Sequence, residues 1–231
     1  MKKAVFYTEA AYVVGLLLLA FGTALTAFGG FGMSMVVAPA YILHLKLSQF
    51  FPFFSFGMAE YALQAAVLLV LSLLLRKVRA VFLLSFVTAV LYGFALDGSM
   101  LLTALIPRGG TLWCLTVYAV GVLICAVGIS LLFRTYLPPE AYELFMKEMA
   151  WKLRKPVPTV KTVYDCCSMV LAIGISLLLF GGIRGIGVGS VVCAFINGAL
   201  IRACNKLFEQ KFEFRDRFAL RSRFEEREEA T

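Results

Sequence analysis

Residues 10–43 read AAYVVGLLLLAFGTALTAFGGFGMSMVVAPAYIL, thirty-four positions without an Asp, Glu, Lys, Arg or His. A helix needs about twenty apolar residues to cross ~30 Å of hydrocarbon, so this stretch holds one crossing and a further apolar segment. Charge-free runs recur at 61–75, 80–96, 109–133, 166–183 and 185–201, and the charges collect in the gaps between them. Hydrophobic residues fill 61% of the 231 positions, against roughly 45–50% in soluble domains. A water-soluble chain of this length has no interior large enough for that much apolar surface. Lipid is the solvent.

Of the two designs that span a bilayer, a closed barrel alternates polar and apolar residues over segments of ~10. Runs such as Val67–Leu75 do not alternate, so the fold expected is all-α, a polytopic membrane helix bundle. Six transmembrane helices fit, at about 11–31, 53–75, 80–97, 112–133, 163–181 and 186–206. The breaks between them have causes: Gly29, Gly30 and Gly32, then Pro52, then Arg76-Lys77-Val78-Arg79, then Asp97 to Gly110, then the glycine-rich turn 181–189. Met1-Lys2-Lys3 ahead of an apolar run resembles a secretory signal. The run passes any processing site near Ala27, however, and the later chain repeats it as a mature helix.

Lys and Arg counted in alternate gaps fall mostly on one side. That side receives Lys2 and Lys3, the Arg76/Lys77/Arg79 turn, six basic residues between Arg134 and Lys161, and the charged tail 208–231. The other receives His44 and Lys46, Arg108 and Arg184. Both termini are therefore expected in the cytoplasm. The same clustering at helix ends explains the net charge of +8 without nucleic acid as a partner. The six cysteines form no metal-ligand spacing and are expected reduced, as small packing residues.

Within the gap 134–161 the pattern predicts an amphipathic helix over 139–155. Pro139 suits a first turn, Glu140 and Glu143 favour the N-terminal end, and Lys152, Arg154 and Lys155 the C-terminal end. Tyr142, Phe145, Met149 and Leu153 make an apolar stripe for the inner membrane surface, or for a cytoplasmic protein partner.

An internal repeat organises the rest. Gly15-Leu-Leu-Leu-Leu-Ala20-Phe-Gly22 parallels Gly121-Val-Leu-Ile-Cys-Ala126-Val-Gly128 at an offset of 106, and Lys46-Leu47 meets Lys152-Leu153. After a slip of one residue, Glu60 meets Asp165, Arg79 meets Arg184, Ser85 meets Ser190 and Gly93 meets Gly198. The repeats are 1–105 and 106–207, each with three crossings. An odd number of crossings makes the second enter the membrane with the opposite orientation, the inverted-repeat plan of many secondary transporters. Segment 33–48 then corresponds to 139–155, facing outward, either on the surface or as a re-entrant piece.

The motifs Gly29-Gly30-Phe-Gly32, Ala38-Pro39, Ser55-Phe56-Gly57, Tyr92-Gly93-Phe-Ala-Leu-Asp97, Val163-Tyr164-Asp165 and Gly185-Ile-Gly187-Val-Gly189-Ser190 with Asn197-Gly198 span about 25–205. Together they make the chain similar to the YczE/YyaS/YitT-type family of bacterial integral membrane proteins. The resemblance implies a multi-pass protein of the bacterial cytoplasmic membrane, whose relatives are discussed as transporters or membrane regulators, with no catalytic set to carry over. The second helix departs from that family by carrying Glu60, Tyr61 and Gln64 where its members are more apolar.

Ionisable groups inside apolar runs are the first functional candidates, since a charge at the helix centre costs ~2.5–3.5 kcal/mol. Glu60 leads, with Gln64 one turn further on the same face. Facing the bundle interior, Glu60 would take up a proton or meet a cationic group; otherwise it is a protonated structural carboxyl. Asn197 and Arg184 complete the expected ligand or proton pathway, Arg184 with exposed amides at the start of the sixth helix as an anion site. Asp97 and Asp165 are expected at the interfaces, Asp165 favouring the start of the fifth helix. The turn 181–190 lacks the strand and the lysine of a phosphate-binding loop. His44 is the single histidine, so neither a metal site nor a Ser-His-Asp set has support, and no cofactor is expected.

The leading expectation is a transporter-like protein, not an enzyme, that binds or moves a small solute or ion between its two repeats. The alternative is a non-transporting membrane regulator or anchor of cytoplasmic partners, and a homo-oligomer is compatible with either.

Overall fold

The computed structural model describes residues 4–217. In chain order it has strand β1 (Ala4–Tyr7), helices α1 (Thr8–Gly29), α2 (Ala38–Leu47), α3 (Phe56–Leu75), α4 (Ala80–Ala104), α5 (Thr111–Leu132), α6 (Ala141–Leu153), α7 (Val157–Phe180) and α8 (Val188–Lys211), and strand β2 (Phe212–Arg215). Among the described residues six helices, α1, α3, α4, α5, α7 and α8, are long and apolar enough to cross a membrane. The protein is a multi-pass membrane helix bundle.

Three helices differ from their expected spans for reasons of packing. α4 continues through Asp97 to Ala104, because the Asp97 carboxylate accepts hydrogen bonds from Ser55 Oγ at 2.6 Å and the Gly57 amide at 2.7 Å. The charge is met by the start of α3, so the helix has no need to end at water. α7 starts at Val157 rather than 163, and Lys161 pairs with Asp165 at 3.7 Å one helical turn on. α8 runs on to Lys211 because α5 holds its last turns: Ser130 Oγ donates to Asn205 Oδ1 at 2.5 Å, and Arg134 meets Glu209 at 2.7 Å.

The centre of the bundle is the α1–α5 pair. A Cβ placed on Gly22 would sit 2.6 Å from Cys125 Sγ and 2.8 Å from the Gly121 carbonyl oxygen. One on Gly128 would sit 2.8 Å from both the Gly15 carbonyl oxygen and the Leu19 nitrogen. Positions rise along one helix as they fall along the other, so the two run antiparallel. Small residues let their backbones touch, the usual means of helix association in lipid. α4 packs on α1, and α8 on α5.

The two short helices lie along spanning helices. At one end of α6 the Ala141 amide donates to Gln64 Oε1 of α3 at 3.2 Å, and near the other Lys152 Nζ donates to the Leu74 carbonyl. These anchors are about ten residues apart on each helix and rise in number together, so α6 follows α3 in parallel for about 15 Å at 1.5 Å per residue. A helix resting flat across the bundle's end would touch α3 at one level. Its buried face also differs from the expected stripe: Ala141, Tyr142, Leu144, Met146 and Ala150 are buried, whereas Leu153 is exposed. The N-terminal turn is wedged between α3 and α4, and this draws Leu144 and Met146 inward. α2 is equally enclosed, with Ala38, Ala40 and Ile42 fully buried against α3 and α7.

The only strands among the described residues are β1 and β2, which pair in parallel with Ala4 opposite Phe212. Phe6 packs edge-on against Phe212 and Phe214 at 5.9 Å. Glu9 accepts hydrogen bonds from Tyr136 Oη and the Arg217 amide, and Thr8 donates to Asp216. Within the charged tail, 212–215 thus form a strand, whose alternating phenylalanines set one face on Phe6. Residues 218–231 of that tail, with Phe218 and Phe224, lie outside the described residues, as do Lys2 and Lys3.

Candidate functional site

The site begins with the local order at the start of α3. Ser55 has extended backbone and its Oγ accepts from the Met58 amide at 3.0 Å, an N-cap. Asp97 of α4 holds the same turn, and a Cβ on Gly57 would collide with the Gly93 carbonyl oxygen. α3 and α4 therefore cross at close range and in fixed register. One turn in from this clamp, Glu60 and then Gln64 face inward, both 0% exposed.

The facing group comes from α6. Tyr142 Oη donates to Glu60 Oε2 at 2.7 Å, and Gln64 Oε1 receives the first amide of α6. The approach to α6 is held in turn by α4, where Ser85 Oγ donates to the Pro139 carbonyl at 2.5 Å and Thr88 Oγ1 to the Pro138 carbonyl at 3.2 Å. Thr88 also bonds Tyr12 of α1 at 2.7 Å. Tyr92 lies beside Glu60 and donates to Thr23 Oγ1 at 3.1 Å. Tyr164 of α7 closes the other flank, its ring 6.2 Å from that of Tyr142.

Three polar atoms in this cluster have no hydrogen-bond partner among the described residues: Glu60 Oε1, Gln64 Nε2 and Glu140 Oε1. The Gln64 amide neighbours the Glu60 carboxyl, but its nitrogen makes no hydrogen bond to it. Among the described residues no lysine or arginine pairs with Glu60. A buried carboxyl without a cation keeps a proton or recruits a positive group, while Gln64 Nε2 offers a donor. Glu140, at the start of α6, has its carboxyl well above the ordinary carboxylate range, through burial first and then the charges of Glu143 and Glu60. Burial and the same Glu60 push the Tyr142 hydroxyl well above its usual value.

The other candidates are placed elsewhere. Arg184 is exposed on the α7–α8 turn, where its guanidinium covers the Phe180 ring at 5.0 Å and its amide donates to Ser176 Oγ at 2.7 Å. At the start of α8, where an anion was expected, the amide of Gly189 donates to the Phe31 carbonyl at 2.9 Å and that of Ser190 to the Gly187 carbonyl at 3.0 Å. Asn197 sits on α8, which packs on α5 and not on α3, and its Oδ1 has no partner among the described residues. The structure does not bring Asn197 or Arg184 to Glu60. Asp97 is a cap within α4 rather than a terminal residue. Asp165 lies next to Tyr164 on the flank of the cluster, with Oδ1 unpartnered among the described residues. His44, read as no ligand, donates from Nδ1 to the Phe54 carbonyl at 3.1 Å and stacks on Phe56, and burial lowers its pKa.

Sequence reasoning missed Tyr142, Glu140 and Tyr92. Tyr142 counted only as part of an apolar stripe. The signal for it was the repeat itself, which pairs 139–155 with a segment for which re-entry was considered.

A family model described as a family of unknown function, DUF6198, matches residues 6–206. The chain belongs to the DUF6198 family. The matched span holds every spanning helix except the last turn of α8, together with the whole Glu60 cluster. Comparison with curated proteins and with solved structures gave no match.

Proposed function

We propose that this DUF6198 protein is transporter-like, without enzymatic activity, and binds or moves a small solute or ion between two inverted repeats. The observation that carries the reading is Glu60 and Gln64, 0% exposed inside a spanning helix, with Oε1 and Nε2 unpartnered among the described residues. Such groups in lipid are costly and default to pathways for ions or polar solutes.

The contacts support the inverted plan. Gly22 meets Cys125 and Gly121, and Gly128 meets Leu19 and Gly15; the offset of 106 turns one set into the other. Gly15 against Leu131 and Leu132 becomes Gly121 against Leu25 and Thr26 in the same way. Larger elements follow: α1–α4 exchanges with α5–α8, α3–α6 with α7–α2, and α2–α3 with α6–α7. The exchange fails at α3–α4, which pack closely where α7 and α8 do not. An asymmetry of that kind suits a protein caught in one of two alternating arrangements.

In this reading the chain is a bacterial cytoplasmic-membrane protein of the YczE/YyaS/YitT type, with α2 and α6 re-entrant from opposite faces and both termini in the cytoplasm. The pairing of β1 with β2, which sets both ends of the described chain together, agrees with an even number of crossings. The regulatory alternative needed a free apolar stripe on 139–155, and the buried face of α6 tells against it. A thermal-stabilisation screen of small cations and polar solutes on purified protein tests the proposal. A stabilising solute should lose its effect in Glu60→Gln; stabilisation indifferent to Glu60 would overturn the site.

A further inference from the structure

At the far end of α6, away from Glu60, a concave surface of about 890 Å³ is lined by Lys147, Trp151, Lys152, Arg154 and Lys155. Its charge is uncompensated. Among the described residues none of these cations has a carboxylate within ion-pair distance, and Glu148, on the same helix, is taken by Arg79 at 2.9 Å. Lys147 does face Glu143, and Lys152 is turned to the Leu74 carbonyl. Arg154 and Lys155 therefore carry the argument. Arg154 adopts φ 50°, a left-handed backbone that a helix end ordinarily gives to glycine or asparagine.

Beside these cations stand Trp151, 69% exposed, and the exposed Pro156. A free anion would satisfy the charges and leave this apolar surface uncovered. An acyl chain alone would do the reverse. Only an occupant with an anionic head and an apolar body fits both, and an aromatic residue at this level is a usual anchor at the membrane interface. We propose that this surface binds an anionic phospholipid, its phosphate on Arg154 and Lys155 and its acyl chains along Trp151 and Pro156. The site needs only a chain set in lipid and does not depend on the solute reading. The bound lipid would steady α6, whose opposite end holds Tyr142 on Glu60.

The test uses the full chain in nanodiscs of phosphatidylcholine alone, of phosphatidylcholine mixed with phosphatidylglycerol, and of phosphatidylcholine with added inorganic phosphate. Ligand at about a hundredfold over Kd raises Tm by roughly 5–10 °C for a chain of this size. That rise is expected with phosphatidylglycerol and absent with phosphate. Arg154→Asn with Lys155→Gln should remove most of it, and asparagine suits the left-handed backbone, so the fold is kept; Tm in phosphatidylcholine alone checks this. Arg202→Gln with Lys206→Gln, the same charge removed from exposed positions on α8, should retain it. Equal loss in both pairs, an equal Tm in the two lipids, or a rise with phosphate alone overturns the proposal.

Discussion

Gly22→Ala puts a methyl group 2.6 Å from Cys125 Sγ and 2.8 Å from the Cys125 nitrogen and the Gly121 carbonyl oxygen. Carbon atoms settle at about 3.5–4.0 Å from such neighbours. Two of the three obstacles are backbone, so no rotamer change relieves them and α1 must part from α5 by about 1 Å. Overpacking of this kind costs ~1–3 kcal/mol. At ~2–4 °C per kcal/mol for a chain of this length, Tm should fall by about 2–12 °C. Gly128→Ala meets the Gly15 carbonyl oxygen and the Leu19 nitrogen at 2.8 Å and should cost about the same. Either change separates the same two helices, so the double variant should lose less than the sum. Gly174→Ala, with nothing within 4 Å, is the control and should hold or raise Tm, since alanine favours a helix by ~1 kcal/mol. Thermal unfolding of purified protein, followed by circular dichroism, reads all four. An unchanged Tm for Gly22→Ala, or costs at 22 and 128 that differ severalfold, would refute both the close contact and the equivalence of the halves.

Tyr142→Phe leaves Glu60 Oε2 without its donor and should cost about 1–3 kcal/mol, read as Tm; in a Glu60→Leu background the loss should shrink, and an unshrunken loss would separate the two residues. Asp97→Ala removes the acceptor of both Ser55 Oγ and the Gly57 amide, worth about 1.5–3 kcal/mol for bonds to a charged group, and circular dichroism should show lost helix as well as a lower Tm. Glu140 has a folded pKa above its ordinary 4.5, so its stability contribution is whole below that value and is lost as pH rises toward the folded pKa. Glu140→Gln should therefore flatten the fall in Tm between about pH 5 and 8; parallel curves for the two proteins would count against the buried carboxyl.

The spanning helices were legible because each carries its own apolar run, and the breaks between them are marked by Gly, Pro or charge. The end of α4 was not, since Asp97 looks like a stop until α3 brings Ser55 and the Gly57 amide to it. The depth of α6 was hidden for a similar reason: its composition is that of a surface helix, and only packing against α3 and α4 buries Tyr142 and Met146. Half of the Glu60 cluster was readable from a lone acid and an amide four residues apart on one helix face. Its other half comes from residues about eighty positions away. Where Arg184 and Asn197 sit relative to Glu60 was not legible, because polarity in an apolar run says nothing about which neighbour a helix faces. Arg184 is used locally, on Phe180 and Ser176.

Parallel pairing of Ala4–Tyr7 with Phe212–Arg215 has a consequence for biogenesis. Ribosomes emit the first strand long before its mate, so it waits, unsatisfied, while all of the bundle is threaded into the bilayer. The clasp is the last piece to close, and it reports completion: a nascent chain halted before Phe212 would present a bare strand edge to whatever quality-control machinery patrols that side.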